Sequence, residues 1–170
     1  SWDTETTGLF PFKQNLDPHG VVSLGFNVGG KQYVIPLYHP EVNGRLFMPA
    51  HKIVKRLDPL VRDIVLVGHN SKFDSLWMRR VYGVRWYADF DTILAAHMLD
   101  ENRSLDLKTL SMDYFDAPDY ALNFEKRSPF FYPLKQVLEY HALDIYYTGE
   151  LYQVFRRQLQ LRFPGRQFEA

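Results

Sequence analysis

The segment that most limits the fold is Val21-Val-Ser-Leu-Gly-Phe-Asn-Val28, followed across Gly29-Gly30 by Gln32-Tyr-Val-Ile-Pro-Leu37. β-Branched and aromatic residues on both sides of a paired glycine read as a β-hairpin. Residues Trp2 to Thr6 read as a strand beside it, ended by Gly8, with Leu9 to Gly20 as a loop. Downstream the pattern changes. Pro49 suits the first turn of a helix over Ala50 to Leu60, where Ile53, Val54, Leu57 and Leu60 recur at helical spacing. Asp63-Ile-Val-Leu-Val67 is short and almost wholly apolar, like a strand buried on both faces. Gly68 lets the backbone turn into His69-Asn70, and Phe73, Leu76, Trp77 and Val81 stripe a helix that Gly83 ends. Arg85 to Asp89 reads as an edge strand, and Asp91 or Thr92 caps a helix carrying Ile93, Leu94, Ala96, His97 and Leu99. Leu105 to Tyr114 is a further short helix. Ala117 to Pro133, with three prolines and no clean period, reads as loop, and Leu134 to about Phe163 as the longest helix.

Three strands, then helix, strand, helix, strand and more helices give an α/β fold. Its expected form is a mixed five-stranded sheet, the first three strands antiparallel, with helices on both faces. That layout is similar to RNase H. At 170 residues the chain is expected to form one domain over 1–170. A hydrophobic fraction of 46% is ordinary, and no stretch suits a membrane span or a secretory signal. With no cysteine, disulfide and thiolate chemistry are excluded. Twenty basic residues balance twenty acidic ones, which argues against a module that grips duplex DNA by charge alone. It does not argue against an enzyme whose carboxylates are offset by metal ions. Only Ser1 and Trp2 precede Asp3, so the chain is expected to be a piece excised from a larger protein.

Its acids fall in an informative pattern. Asp3 and Glu5 are two apart and share one face of a strand, with Thr4 pointing the other way. Like charges held together call for metal ions or protons, though Asp-x-Glu alone says little. Asp74 lies in the first turn of the helix that follows the apolar strand, and strand carboxyl ends are where α/β sites form. A lone Asp there could equally serve the helix dipole, Asn70 could be the cap, and Lys72 a solvated residue. Tyr140 and Asp144 are i and i+4 on one helical face. Leu143 and Ile145 place Asp144 at an apolar boundary, where an acid is expensive without a counter-ion. His141 is expected beside this face but pointing elsewhere, and not as a ligand.

Taken in order, Asp3-Thr-Glu-Thr-Thr-Gly8-Leu9, His69-Asn-x-x-Phe-Asp74 and Tyr140-x-x-x-Asp144 resemble the proofreading 3′–5′ exonuclease domain of a family A DNA polymerase. The class is the four-acid one that carries a tyrosine. Asp91-Thr-Ile-Leu-Ala-Ala and Leu105-Asp-Leu-Lys-Thr-Leu110 also look like that family's linking helices. The sister class places a histidine five residues before the last acid, where this chain has Glu139, so Tyr140 selects the subclass.

The resemblance implies hydrolysis of the 3′-terminal phosphodiester of single-stranded or frayed DNA, releasing nucleoside 5′-monophosphates with two Mg²⁺ ions, or Mn²⁺ in their place. It implies catalytic roles for Asp3, Glu5, Asp74, Tyr140 and Asp144. The four acids would be the metal ligands, with Asp3 bridging, Glu5 and Asp144 completing one site, and Asp74 holding the other. Tyr140 would orient the attacking water. Thr4, Thr6, Leu9, His69, Asn70 and Phe73 are the implied substrate contacts, with Leu9 as an apolar wedge against terminal bases. Strand-end packing is the competing reading for Leu9, and core packing for Phe73. Lys126, Arg127, Phe130, Phe131 and Tyr132 could line a strand groove, but a loop over a hydrophobic cluster is favoured.

The implied partners are a single-stranded DNA 3′ end and a covalently linked polymerase domain beyond Ala170. A monomer is expected, with no membrane contact, in the cytoplasm of a bacterial or phage-infected cell or in an organelle. One alternative is a stand-alone or helicase-linked 3′–5′ exonuclease acting on RNA or DNA. A non-catalytic domain bracing a polymerase is disfavoured by the presence of all four acids.

Overall fold

The computed structural model describes residues 1–13, 20–120, 128–166 and 168, so Lys126 and Arg127 lie outside the described residues. The expected meander is present. Strands β1 (Trp2–Thr6), β2 (Val21–Val28) and β3 (Lys31–Pro36) form an antiparallel sheet in the order β1-β2-β3. Gly29 and Gly30 make its turn with φ of 58° and 80°, a left-handed conformation that side chains resist. Strand parity then sorts the residues. Trp2 and Thr4 lie opposite Phe26 and Leu24 and are buried, whereas Asp3 and Glu5 lie opposite Gly25 and Ser23 on the other face.

The remaining strands are shorter than expected. β4 is only Val67–Gly68 and β5 only Phe90–Asp91, paired parallel in a separate two-stranded piece. The five strands are therefore two sheets, not one continuous sheet. Helix α1 (Ala50–Arg62) runs on to Arg62, and Ile64 and Val65 are each 49% exposed, so this run is not the doubly buried strand expected from Asp63. Pairing begins at Leu66, whose carbonyl accepts from the amides of Asp89 and Phe90 and whose own amide donates to Asp89 Oδ2. The expected strand over Arg85 to Asp89 is likewise displaced. Trp86 turns into the core, its indole N–H donating to Asp58 Oδ1.

Helices cover both faces of the larger sheet. Helices α1 and α2 (Ser71–Tyr82) pack Ile53, Val54, Val61, Trp77 and Met78 against Trp2, Leu24 and Phe26. Val61 takes the buried place expected of Leu60, which is 64% exposed. The long helix α5 (Leu134–Arg162) crosses the opposite face. It comes so close that a Cβ on Gly25 would meet His141 Nε2 at 2.6 Å, and one on Gly149 would meet Asn27 Nδ2 at 2.7 Å. The far end of α5 forms a second core with α3 (Thr92–Leu99) and α4 (Leu107–Phe115), where Leu110, Leu151, Phe155 and Leu159 meet Val67 and Phe90. Among the described residues of the Ala117–Pro133 region, Pro129–Phe131 form a short 3-10 turn. Among the described residues, no helix is long and apolar enough to cross a membrane.

One acid ties the helix starts together. Asn70 precedes α2 in a left-handed conformation and gives no side-chain cap. Asp91 does the capping instead. Its Oδ1 accepts from the amides of Asn70 (2.9 Å) and Ile93 (3.1 Å), and its Oδ2 accepts from the Ser71 amide (2.9 Å) and hydroxyl (2.8 Å). Asp91→Ala is expected to cost about 2–3 kcal/mol, since charged caps and their donors are lost together. Urea denaturation checks the loss, and hydrogen exchange should quicken at the Asn70 and Ser71 amides first.

Candidate active site

The carboxylates converge where β1, α2 and α5 meet. Ligand atoms of Asp3, Glu5 and Asp144 all lie within 4.8 Å of one another. They line an open cleft of about 440 Å³ together with Asp74, His69, Asn70, Phe73 and Lys108. Each acid arrives by a local rule. Strand alternation puts Asp3 and Glu5 on the face that α5 covers. The face of α5 that carries Asp144 also buries His141, Ile145 and Thr148, at i−3, i+1 and i+4. Asp74 sits in the first turn of α2, and its Oδ1 accepts from the Thr4 amide (3.0 Å) and the Thr4 hydroxyl (2.5 Å).

Electrostatics follow from this crowding. Burial, and then the charges of Asp74, Glu5 and Asp144, hold the Asp3 pKa well above the usual carboxylate range. Burial and Asp144 do the same to Glu5. Burial also lifts Asp74, against the pull of its Thr4 hydrogen bonds, to about 7. One cation opposes them. Lys108 Nζ lies 2.8 Å from Asp144 Oδ2 and 4.4 Å from the Tyr140 ring centroid. Tyr140 itself is driven far above the ordinary phenol range by burial and by the neighbouring charges of Asp144 and Glu5.

This donor set fits a hard divalent cation. The clustered ligands are carboxylate oxygens, and among the described residues buried Asp144 Oδ1 has no hydrogen-bond partner. Without a cation, the raised pKa values make these acids bind protons more tightly in the folded than in the unfolded chain. Their contribution to stability is therefore full below the unfolded carboxylate value of about 4 and is lost as pH rises through the folded values, about 7 for Asp74. In EDTA the protein should melt at a lower temperature at about pH 8 than at about pH 5.5, and Mg²⁺ should raise the melting temperature more at the higher pH. Thermal melts in all four conditions test this, and a Mg²⁺ effect independent of pH would count against it.

The other sequence-derived positions divide. Leu9 is 75% exposed, so it is not spent on strand-end packing. His69 and Asn70 line the cleft, with His69 Nδ1 2.9 Å from Thr92 Oγ1. Phe73 lines it too, while its ring meets Trp77 and packs at the margin of the core. Thr4 and Thr6 are buried, and their hydroxyls donate within the protein, to Asp74 and to the Gly8 carbonyl. Phe130 stacks on Tyr38, and the Tyr132 carbonyl lies 2.9 Å from His39 Nε2, so this segment packs on the β3–α1 connection.

Two neighbours of the acids had no assigned role. Lys108 lies 36 residues from Asp144 in sequence, and no local spacing pairs them. His141 does not point elsewhere: its imidazole is fully buried between β2 and Asp3, with Nε2 3.4 Å from Asp3 Oδ2. Burial holds its pKa down at about 3, so the ring is neutral. Its place in the i, i+3, i+4, i+7 series with Asp144, Ile145 and Thr148 was the available signal.

Comparison with known proteins places the chain in a family. Residues 1–160 match the 3′-5′ exonuclease family of DNA polymerase A type. DNA polymerase I of Borreliella burgdorferi is 25% identical over 167 residues, covering 94% of this chain and 17% of that protein. The chain thus spans about a sixth of that relative's length. The solved structure of Brucella melitensis NrnC with bound Mg²⁺ superposes with a TM-score of 0.61 at 21% identity, covering 95% of this chain and 73% of that one. At that identity the likeness speaks for the fold.

Proposed function

The chain belongs to the 3′–5′ exonuclease family of DNA polymerase A type, and from that membership we propose that it removes nucleotides from the 3′ end of single-stranded or frayed DNA as a proofreading domain. It is a nuclease, a phosphodiester hydrolase. The products in this reading are nucleoside 5′-monophosphates. The observation that carries it is the convergence of Asp3, Glu5 and Asp144 within 4.8 Å at a cleft that also holds Asp74. The layout is read as RNase H-like, with residues 1–170 as one exonuclease domain. The polymerase relative supports a place beside a covalently linked polymerase domain. Linkage would make weak intrinsic DNA affinity tolerable by raising the effective concentration of the strand end.

In the proposed mechanism Asp3, Glu5 and Asp144 would hold one divalent ion, and Asp74 together with Asp3 would hold a second. Mg²⁺, or Mn²⁺ in its place, would supply Lewis acidity there for attack of water on the phosphodiester. Tyr140 orients that water through its hydroxyl, together with Glu5. With its pKa raised by burial and by Asp144, the phenol stays protonated and does not act as the base. The Lys108 side chain reaches Asp144 and the face of the Tyr140 ring from α4. Leu9, exposed beyond the end of β1, is placed to press on the terminal base, where stacking reads no sequence. His69, Asn70 and Phe73 line the cleft, and in this reading they would flank the terminal nucleotide.

The test is digestion of 5′-labelled single strands of DNA and of RNA of the same sequence in Mg²⁺. DNA should shorten stepwise from its 3′ end, and Asp3→Asn should abolish this. Faster trimming of RNA would move the protein to an RNA-processing role, and undiminished digestion by Asp3→Asn would remove the site assignment. Tyr140→Phe should slow single turnover by roughly 10²-fold, while Mn²⁺ affinity measured by calorimetry stays unchanged. Wild-type turnover across pH in that variant would sink the role given to the hydroxyl.

A further inference from the structure

We propose that His141 is a positioning residue for Asp3, set by Ser23 so that its Nε2–H faces the Asp3 carboxylate from the protein side while the cleft lies on the other. The inference rests on the metal-binding reading of Asp3 given above. Three observations carry it. The imidazole is fully buried, with 0% exposure, and among the described residues its Nε2 makes no hydrogen bond of ordinary geometry. Nδ1 lies 2.7 Å from Ser23 Oγ, while Nε2 lies 3.4 Å from Asp3 Oδ2 and also interacts with the Asp3 backbone. The space for the ring exists because β2 has no side chain at Gly25, the residue opposite Asp3, where a Cβ would stand 2.6 Å from Nε2.

The tautomer follows from the partners. If Nδ1 carried the proton, the Nε2 lone pair would face a carboxylate oxygen, which is repulsive. With the Ser23 hydroxyl donating to Nδ1, the proton sits on Nε2, the nitrogen on the side of Asp3, where the carboxylate and the backbone oxygen of that residue are the neighbouring acceptors. Register brings the parts together. Ser23 is opposite Glu5 and Gly25 is opposite Asp3, so the two β2 residues form a notch on the strand face that carries the acids, and α5 lowers His141 into it. A side chain that only filled space would bury no orphaned donor, because such a group is costly away from an acceptor. Groups that orient a metal's carboxylate in this way typically contribute 10–100-fold to metal affinity.

Two conservative replacements separate positioning from packing. His141→Gln carries an amide N–H₂ to about the place of Nε2, whereas His141→Asn reaches only as far as Nδ1 and keeps the Ser23 partner. The measurement is Mn²⁺ affinity by calorimetry on the full chain, with thermal melts alongside. His141→Asn should bind Mn²⁺ about 10–100-fold more weakly than wild type, and His141→Gln should recover most of that loss. Ser23→Ala, which frees the ring to change tautomer, should weaken binding in the same direction but less. Equal affinity in wild type and His141→Asn would overturn the proposal, as would equal losses in the Asn and Gln variants with matching losses of melting temperature. Should the His141 variants fail to fold, wild-type affinity in Ser23→Ala overturns it. If wild type and Asp3→Asn bind Mn²⁺ alike, the metal-site reading itself has failed, a result distinct from the others.

Discussion

Repulsion among acids that strand and helix geometry forces together is the constraint the surrounding structure must withstand. Asp3, Glu5 and Asp144 are held within 4.8 Å, and Asp74 is close enough to raise the proton affinity of Asp3. Such a cluster is unfavourable by itself. The protein answers with specific partners. Two hydrogen bonds from Thr4 hold Asp74, the Lys108 ammonium sits on Asp144, and a neutral imidazole backs Asp3. What is not offset inside the protein is charge that bound cations would neutralise. In this sense the site is strained toward binding rather than merely shaped for it.

That strain explains why the frame around it is stiff. The Gly25 and Gly149 approaches let α5 lie almost on the backbone of β2, fixing Tyr140 and Asp144 relative to Asp3 and Glu5. Ser1 ties in as well, its hydroxyl donating to the Ile145 carbonyl at 2.5 Å. A single carboxylate, Asp91, sets the starting points of α2 and α3, and through α2 the position of Asp74. Displacing any of these by an ångström would matter, because carboxylate repulsion and metal coordination both vary steeply at this range.

What could be read in advance follows the distinction between local and long-range physics. The meander, the glycine turn, the end of α2 at Gly83, the cap at Asp91 and the shared face of Asp3 and Glu5 are properties of a few adjacent residues. They were legible for that reason. The extent of β4 was not, because the apolar run at Ile64 and Val65 looks like a buried strand until it is known that α1 continues to Arg62 and pairing starts only at Leu66. Leu60 and Val61 compete for one buried place, and it is Val61 that joins the core, which only the packing of distant residues decides. Lys108 was invisible as a partner because its acid is 36 residues away. His141 was half legible, since helical spacing gives its burial but not the notch in β2 that receives it.

The division of the sheet into two pieces has a consequence for Asp74. A strand edge normally spends its amides on the next strand, or leaves them open to pairing with another chain. Among the described residues β1 has no partner strand on its second side, and the Thr4 amide there goes to a side chain from α2 instead. The seam in the sheet works as a socket for an anion. Had β4 extended into a full ladder against β1, that amide would serve backbone pairing, and Asp74 would lose one of the two Thr4 donors that hold it. The short strands that make the sheet look incomplete are therefore what leaves room for an acid in its interior.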